Sequence, residues 1–146
     1  MQNQVFFEDV VVGNEVPNLV KRVTTRQLVK WAGVSGDFTE IHYDKDAAIA
    51  GGLSGVIVHG WLAFSAHGQM LQDWIGIDGD LKSIKCSYRG MLYPNKNVTY
   101  RGKVANKQVK DGENLVECEI WCEDHEGKVA NRGSAVVALP SRTKTK

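Results

Sequence analysis

The chain has 146 residues, a net charge of +1 and 42% hydrophobic content. That length fits one domain able to bury roughly 68–70% of its unfolded surface, with no need of metal or disulfide staples. The balanced charge gives no pull toward nucleic acid or a membrane surface, and no apolar run approaches the ~18 residues of a membrane span.

The opening "MQNQVFFEDVVVG" lacks a basic start and a long apolar run, so no signal peptide is expected there, only a strand or two. "TTRQLVKWAGVS" predicts a short helix. Thr24 or Thr25 can cap it, Leu28, Val29, Trp31 and Ala32 form an apolar stripe, and Gly33 and Gly36 end it. Residues 35–58 read as irregular, with a helical turn at "DKDAAIA" that Asp44 can cap. A loop this long inside a compact domain is either functional or a failed assignment. "HGWLAFSAHGQMLQDWIG" then predicts the longest helix, apolar on nearly all sides and therefore buried, ending at Gly76.

After Gly76 the period changes. "LKSIKCSYRGMLY", "NVTYRGKVANKQVK", "ENLVECEIWCED" and "KVANRGSAVVALP" are strand-like, and "KDGE" and "HEGK" supply glycine where a hairpin wants a positive φ. The expected order is a strand or two, a short helix, a long loop, a buried helix and an antiparallel meander. This is an α+β class, a sheet of about five strands wrapped on one helix, with edges that a second subunit would cover. Cys118 and Cys122 alternate with charged or bulky neighbours and read as small core hydrophobes. The odd count of three cysteines points to a reducing cytosol, so a cytoplasmic protein is expected. One domain is expected over residues 1–140, followed by a frayed, polar tail over 141–146.

One stretch carries chemistry. "GVSGDFTEIHYD" places Asp37 and His42 five residues apart between apolar segments. Read alone, Asp37 after a glycine is a turn former or an acid/base residue. "SGDFTEIHYDKDAAIAGGLSGVIVHGWL" decides between them, because it resembles the hydratase motif of the MaoC-like family. That family includes (R)-specific enoyl-CoA hydratases and (3R)-hydroxyacyl-thioester dehydratases. Its pattern is roughly S-G-D-x-N-P-hydrophobic-H-x-D, an alanine, then H-G and a buried helix. Ser35, Gly36, Asp37, Ile41, His42, Asp44, Ala48, His59 and Gly60 match it. Two positions depart: the family's Asn-Pro is Thr39-Glu40, and the residue after His-Gly is Trp61.

The resemblance implies a hotdog fold, with a long central helix wrapped by an antiparallel sheet and a dimer formed through its edge. A homodimer is expected, with a heterodimer as the alternative. It implies that Asp37 and His42 are the catalytic pair, that the Gly60 amide holds the thioester oxygen, and that Thr39 takes the orienting role of the family's asparagine. The substrate would be an acyl-CoA or acyl-carrier-protein thioester, with no cofactor and no metal. Three functions share this frame: hydration or dehydration of the thioester, thioester hydrolysis, and a non-catalytic partner subunit of a heterodimeric dehydratase.

The chemistry gives the pattern sense. Adding water to a trans-2-enoyl thioester needs proton transfers at one water and at C2, and a donor for enolate-like charge on the thioester oxygen. Asp37 lies among apolar residues, so desolvation is expected to raise its pKa. The missing side chain of Gly60 is expected to let a ligand approach closely. Trp61 and Phe64 are read as core first and acyl-pocket lining second, and Ser65 as facing the pocket or a small core residue. His59 is read as a buried histidine fixing the loop, and His67 as an ordinary helix residue. Tyr88, Tyr93 and Tyr100 are read as strand formers.

Overall fold

The structure, a computed structural model, describes residues 4–143. Strand β1 (Glu15–Arg22) precedes helix α1 (Thr25–Ser35), and a short 3-10 turn (Glu40–His42) leads into α2 (Lys45–Ala50). Helix α3 (Gly60–Ile75) follows, then strands β2 (Asp80–Tyr88), β3 (Asn97–Lys110), β4 (Glu113–Glu123) and β5 (Val129–Ala138). All five strands form one antiparallel sheet in the order β1-β3-β4-β5-β2. This is the α+β hotdog arrangement: the sheet curls around α3, whose Ala63, Ala66, Met70, Leu71 and Ile75 enter the core.

Local signals explain most boundaries. Thr24 caps α1 in a capping box with Gln27 at N3, satisfying two otherwise orphaned donors. Gly36 closes that helix at φ 75°, a left-handed conformation that suits glycine. Asp44 caps α2 by accepting from the amides of Asp46 and Ala47. Pro17 lies on edge strand β1 where the register shifts, a place that needs no ladder donor. Cys118 and Cys122 face the core from β4, packed with Tyr100 and Ile120.

Three expectations change. The last four strands are not one meander, because only β3, β4 and β5 follow in order; β2 leaves β3 and pairs with β5. The connection from Arg89 to Lys96 carries Pro94 and Asn95 at φ 63°, and so travels to the far side of the sheet instead of closing a hairpin. Helix α3 is not buried all round: Trp61 at its start is 67% exposed. Val29 of the expected α1 stripe also faces out, while Leu28 and Ala32 face in. Of the expected tail, residues 144–146 lie outside the described residues. Ser141 and Arg142 bond to Glu8 and Asp9. No helix among the described residues is long and apolar enough to cross a membrane.

Among the glycines of the sheet, Gly133 has the least room for a side chain; it lies on β5 opposite Cys86 of β2. A Cβ on Gly133 would stand 1.8 Å from the Lys85 carbonyl oxygen. Gly133→Ala must therefore push β2 off the sheet, and urea unfolding is expected to register a loss of about 1–3 kcal/mol, in the range of overpacking. Unchanged stability would mean that β2 is free to stand away from β5.

Candidate active site

Two irregular segments run side by side before α3. The Ile57 amide donates to the Ile41 carbonyl at 3.0 Å, and the Val58 amide to the Leu92 carbonyl at 2.8 Å. These bonds bring "GDFTEIH" alongside "VIVHG". His42, 8% exposed, sits with its Nδ1 2.8 Å from the Ile57 carbonyl oxygen. A carbonyl only accepts, so the proton is on Nδ1 in the neutral ring and Nε2 carries the free lone pair. His42 Nε2 is 3.8 Å from Asp37 Oδ2, beyond a direct hydrogen bond and suited to one bridging water.

Asp37 is held from the side opposite His42. Its Oδ1 accepts from the Thr39 hydroxyl at 2.6 Å and from the Thr39 amide at 3.3 Å. The Thr39 hydroxyl, then its amide, hold the Asp37 carboxyl below the usual carboxylate range, outweighing desolvation. This corrects the expectation of a raised pKa. The side chain remains 39% exposed, and two donors favour its charged form.

His59 lies beneath His42. The two rings stack with centroids 3.8 Å apart and planes inclined by 20°. His59 Nε2 donates to the Asp37 carbonyl oxygen at 3.1 Å, and burial pushes the His59 pKa down. Asp37, His42 and His59 each offer an atom within 4.8 Å of the others, which raises the question of a metal. A metal ion lies in the plane of each imidazole that binds it. Two planes this far apart and this nearly parallel do not meet within bonding distance of either ring, so the arrangement does not suit a shared ion.

Beside His42 opens a cavity of about 340 Å³. Val58, Ala63, Leu92 and Asn131 form its buried part, while Gly60 and Tyr88 stand nearer the surface. Helix α3 starts at Gly60 without a side-chain cap. Among the described residues, the Gly60 amide makes no hydrogen bond. The space a Cβ would take on Gly60 is not open to a ligand as expected: the Tyr88 ring lies there, its Cζ 3.2 Å from the built position. The glycine admits Tyr88, and Tyr88 then walls the cavity.

Asp37, Thr39 and His42 are thus brought together, and His42 and Gly60 line the cavity, whose wall includes neither Asp37 and Thr39 nor the three acyl-pocket candidates. Trp61 and Phe64 meet edge to face at 5.3 Å and are absent from the cavity wall. Ser65 is exposed and donates to the Leu62 carbonyl of its own helix. Helical spacing explains the difference: Gly60, Ala63 and His67 lie along the inward face, and positions 61, 64 and 65 are rotated away from it. Sequence reasoning missed Ala63, Leu92 and Asn131. Asn131 had a signal, since it shares strand parity with Ala135 and Val137 on the core face.

The family profile described as MaoC like domain matches residues 9–124. The chain belongs to this MaoC-like family. An (R)-hydratase from A. caviae involved in PHA biosynthesis is 25% identical, with 91% of this chain and 99% of that one covered at a TM-score of 0.82. The ChsH1-ChsH2 complex from Mycobacterium tuberculosis contains a chain 25% identical, with 88% and 98% covered and a TM-score of 0.76. The R-hydratase PhaJ1 from Pseudomonas aeruginosa shares the fold at a TM-score of 0.85 and 18% identity, with 95% and 88% covered. No curated protein matches the chain by sequence.

The Thr39 contact to Asp37 is directly testable. Removing the hydroxyl removes the bond that most lowers the Asp37 pKa, so Thr39→Val raises that pKa. The charged carboxylate is then lost at a higher pH on acidification. In a pH profile of kcat/KM, the Asp37 limb is expected to move upward for Thr39→Val and to stay near the parent for Thr39→Ser. An unmoved limb in Thr39→Val would leave Thr39 a loop residue only.

Proposed function

We propose that the protein adds water reversibly to trans-2-enoyl thioesters, giving 3-hydroxyacyl thioesters in the (3R) sense of its family. The observation that carries the reading is the 3.8 Å separation of His42 Nε2 and Asp37 Oδ2, with His42 on the wall of a cavity that an uncapped helix start also lines. A water beside the pair, within hydrogen-bond reach of both, meets two acceptors, the Nε2 lone pair of His42 and a carboxylate oxygen. Asp37 accepts one of its hydrogens and fixes the oxygen. His42 Nε2 takes the other as the oxygen bonds to C3. The electron pair of the C2–C3 double bond moves toward the thioester, and the oxygen that gains charge lies against the Gly60 amide, aided by the helix dipole. The imidazolium then returns its proton to C2. Water has added across the double bond and the enzyme is restored. Dehydration is the same path reversed.

Support comes from the family match and from the (R)-hydratase named among the similar structures. The substrate is an acyl-CoA or an acyl-carrier-protein thioester. Incubation with crotonyl-CoA, followed at once by enoyl absorbance and by free thiol, tests the reading. Loss of absorbance without thiol is expected; thiol release would replace it with thioester hydrolysis. Asp37→Asn and His42→Ala are each expected to lower turnover by at least ~10²-fold with unchanged circular dichroism. Near-parent turnover in both would remove the acid/base assignment.

The assembled state is proposed on the same site. Phe38, Tyr43, Trp61, Tyr88 and Met91 are large apolar side chains, each more than half exposed. All five lie on the catalytic segments or on segments that line the cavity. Strand β2, which ends at Tyr88, is also an uncovered sheet edge. A second subunit placed there covers edge and patch together; a homodimer is the proposed state, with a heterodimer as its variant, as in the ChsH1-ChsH2 complex. Light scattering of the purified chain is expected to give twice the chain mass. A fully active monomer would overturn this.

A further inference from the structure

The hydration reading leaves one polar pair unused. His67 is fully buried and Asn131 is 1% exposed, and both sit in the apolar core between α3 and β5. His67 Nε2 and Asn131 Oδ1 are 2.6 Å apart, and the His67 ring meets Tyr100 edge to face. Burying two polar side chains in such a place is costly unless their hydrogen-bonding groups are used. One bond uses only part of them.

The unused ends decide the orientation. His67 Nδ1 is buried with no partner. Burial also pushes the His67 pKa down, so the ring is neutral at physiological pH and holds one proton. With that proton on Nε2, Nδ1 is a bare acceptor. With it on Nδ1, a buried N–H would be orphaned, the rarer condition in folded proteins. His67 therefore donates to Asn131 Oδ1, and the NH₂ of the amide is its unspent end. Among the described residues Asn131 Nδ2 makes no hydrogen bond. Asn131 lines the cavity beside His42, and His67 does not. The walls around Asn131 are apolar: Val58, Ala63 and Leu92. The cavity thus has one neutral donor in a part otherwise built for hydrocarbon.

We propose that Asn131, oriented by His67, binds an oxygen on the acyl chain, so that the preferred substrate carries a keto, hydroxyl or ether group and is not a plain alkyl enoyl thioester. This rests on the hydration reading and narrows it. A carboxylate is the poorer fit, because the cation on the cavity wall, Arg89, is exposed at the surface and not in the buried part. A plain alkyl chain would leave the Asn131 NH₂ without water and without a partner, which is how a site built around a hydrogen bond rejects the analogue lacking it. Asn131 acts on specificity, and His67 is a positioning residue behind it.

The test compares two enoyl-CoA substrates of equal chain length, one all-alkyl and one with a keto oxygen toward the chain end. The expected kcat/KM ratio favours the keto substrate by about tenfold, the scale of one hydrogen bond. Asn131→Leu keeps the size and removes the donor, and should bring the ratio to one or invert it. His67→Phe should lower the ratio, and His67→Gln, which can still donate to Oδ1, should restore it. A wild-type preference for the alkyl chain would overturn the proposal. So would an equal loss on both substrates in Asn131→Leu, which would assign the donor to the thioester itself or to the fold. Because Asn131→Leu can fail to fold, the wild-type ratio stands as a test without any variant. Calorimetric Kd values for the two matching saturated acyl-CoAs separate the failures. A preference for the keto ligand without turnover supports the oxygen site while removing hydration, and equal Kd values with turnover remove the oxygen site alone.

Discussion

Two irregular segments hold each other in place, and every part of the site depends on that mutual hold. The chain over 37–42 and the chain over 57–59 are joined by the Ile57 amide to the Ile41 carbonyl, by His42 Nδ1 to the Ile57 carbonyl, and by His59 Nε2 to the Asp37 carbonyl. Each segment thus contributes an imidazole that donates to the other's backbone. Each bond is worth about 0.5–1.5 kcal/mol net, yet together they set the tautomer of His42, the position of Asp37 and the stack of the two rings. Neither segment belongs to a strand ladder, and outside this set the second is tied by the Val58 amide to the Leu92 carbonyl. Because His59 is also the residue before α3, the same bonds fix where the helix begins and where its uncapped amides lie.

The division of labour proposed for Asp37 and His42 rests on their surroundings rather than on their residue types. Two donors from Thr39 keep Asp37 charged. A carbonyl acceptor behind His42 fixes which nitrogen is bare. In the proposed hydration a charged carboxylate would not supply the proton that C2 needs, so that task would fall to the imidazole, which can take a proton from water and release it again. On that proposal one acceptor orients and the other relays. A carboxyl with the raised pKa expected from desolvation would have made the two groups compete for the same role.

Much of this was legible in the residues, and the misses share a physical cause. The capping box at Thr24, the Asp44 cap and the hairpin glycines act within a few residues, so the chain announces them locally. The β2–β5 pairing depends on where a connection travels, and no local rule encodes that. The motif singles out Asp37, Thr39, His42 and Gly60 because their spacing along the chain is short. The cavity wall is assembled from α3, the segment after β2 and strand β5, so Ala63, Leu92 and Asn131 are far apart in sequence and meet only in the fold. Trp61, Phe64 and Ser65 lie close to His-Gly along the chain, and a rotation of one residue along a helix is enough to take them off the cavity wall.

The Thr39-Glu40 departure then has a structural reading. Thr39 has φ −61° and ψ 126°, the extended geometry that a residue before proline adopts. Glu40 opens a 3-10 turn, a position where a proline is tolerated because its missing N–H is not needed by the helix. The backbone path is therefore one that Asn-Pro could also follow. What proline would supply by stiffness is supplied here by bonds: the His42 amide returns to the Thr39 carbonyl, and the Tyr43 and Asp44 amides to the Glu40 carbonyl. What asparagine would supply by reach, threonine supplies by proximity, since its hydroxyl lies only 2.6 Å from Asp37 Oδ1. A shorter side chain can hold only what is already next to it. Thr39 is thereby committed to the carboxylate and has no second side-chain donor to extend further, so in the proposed hydration the placing of water is left to Asp37 and His42.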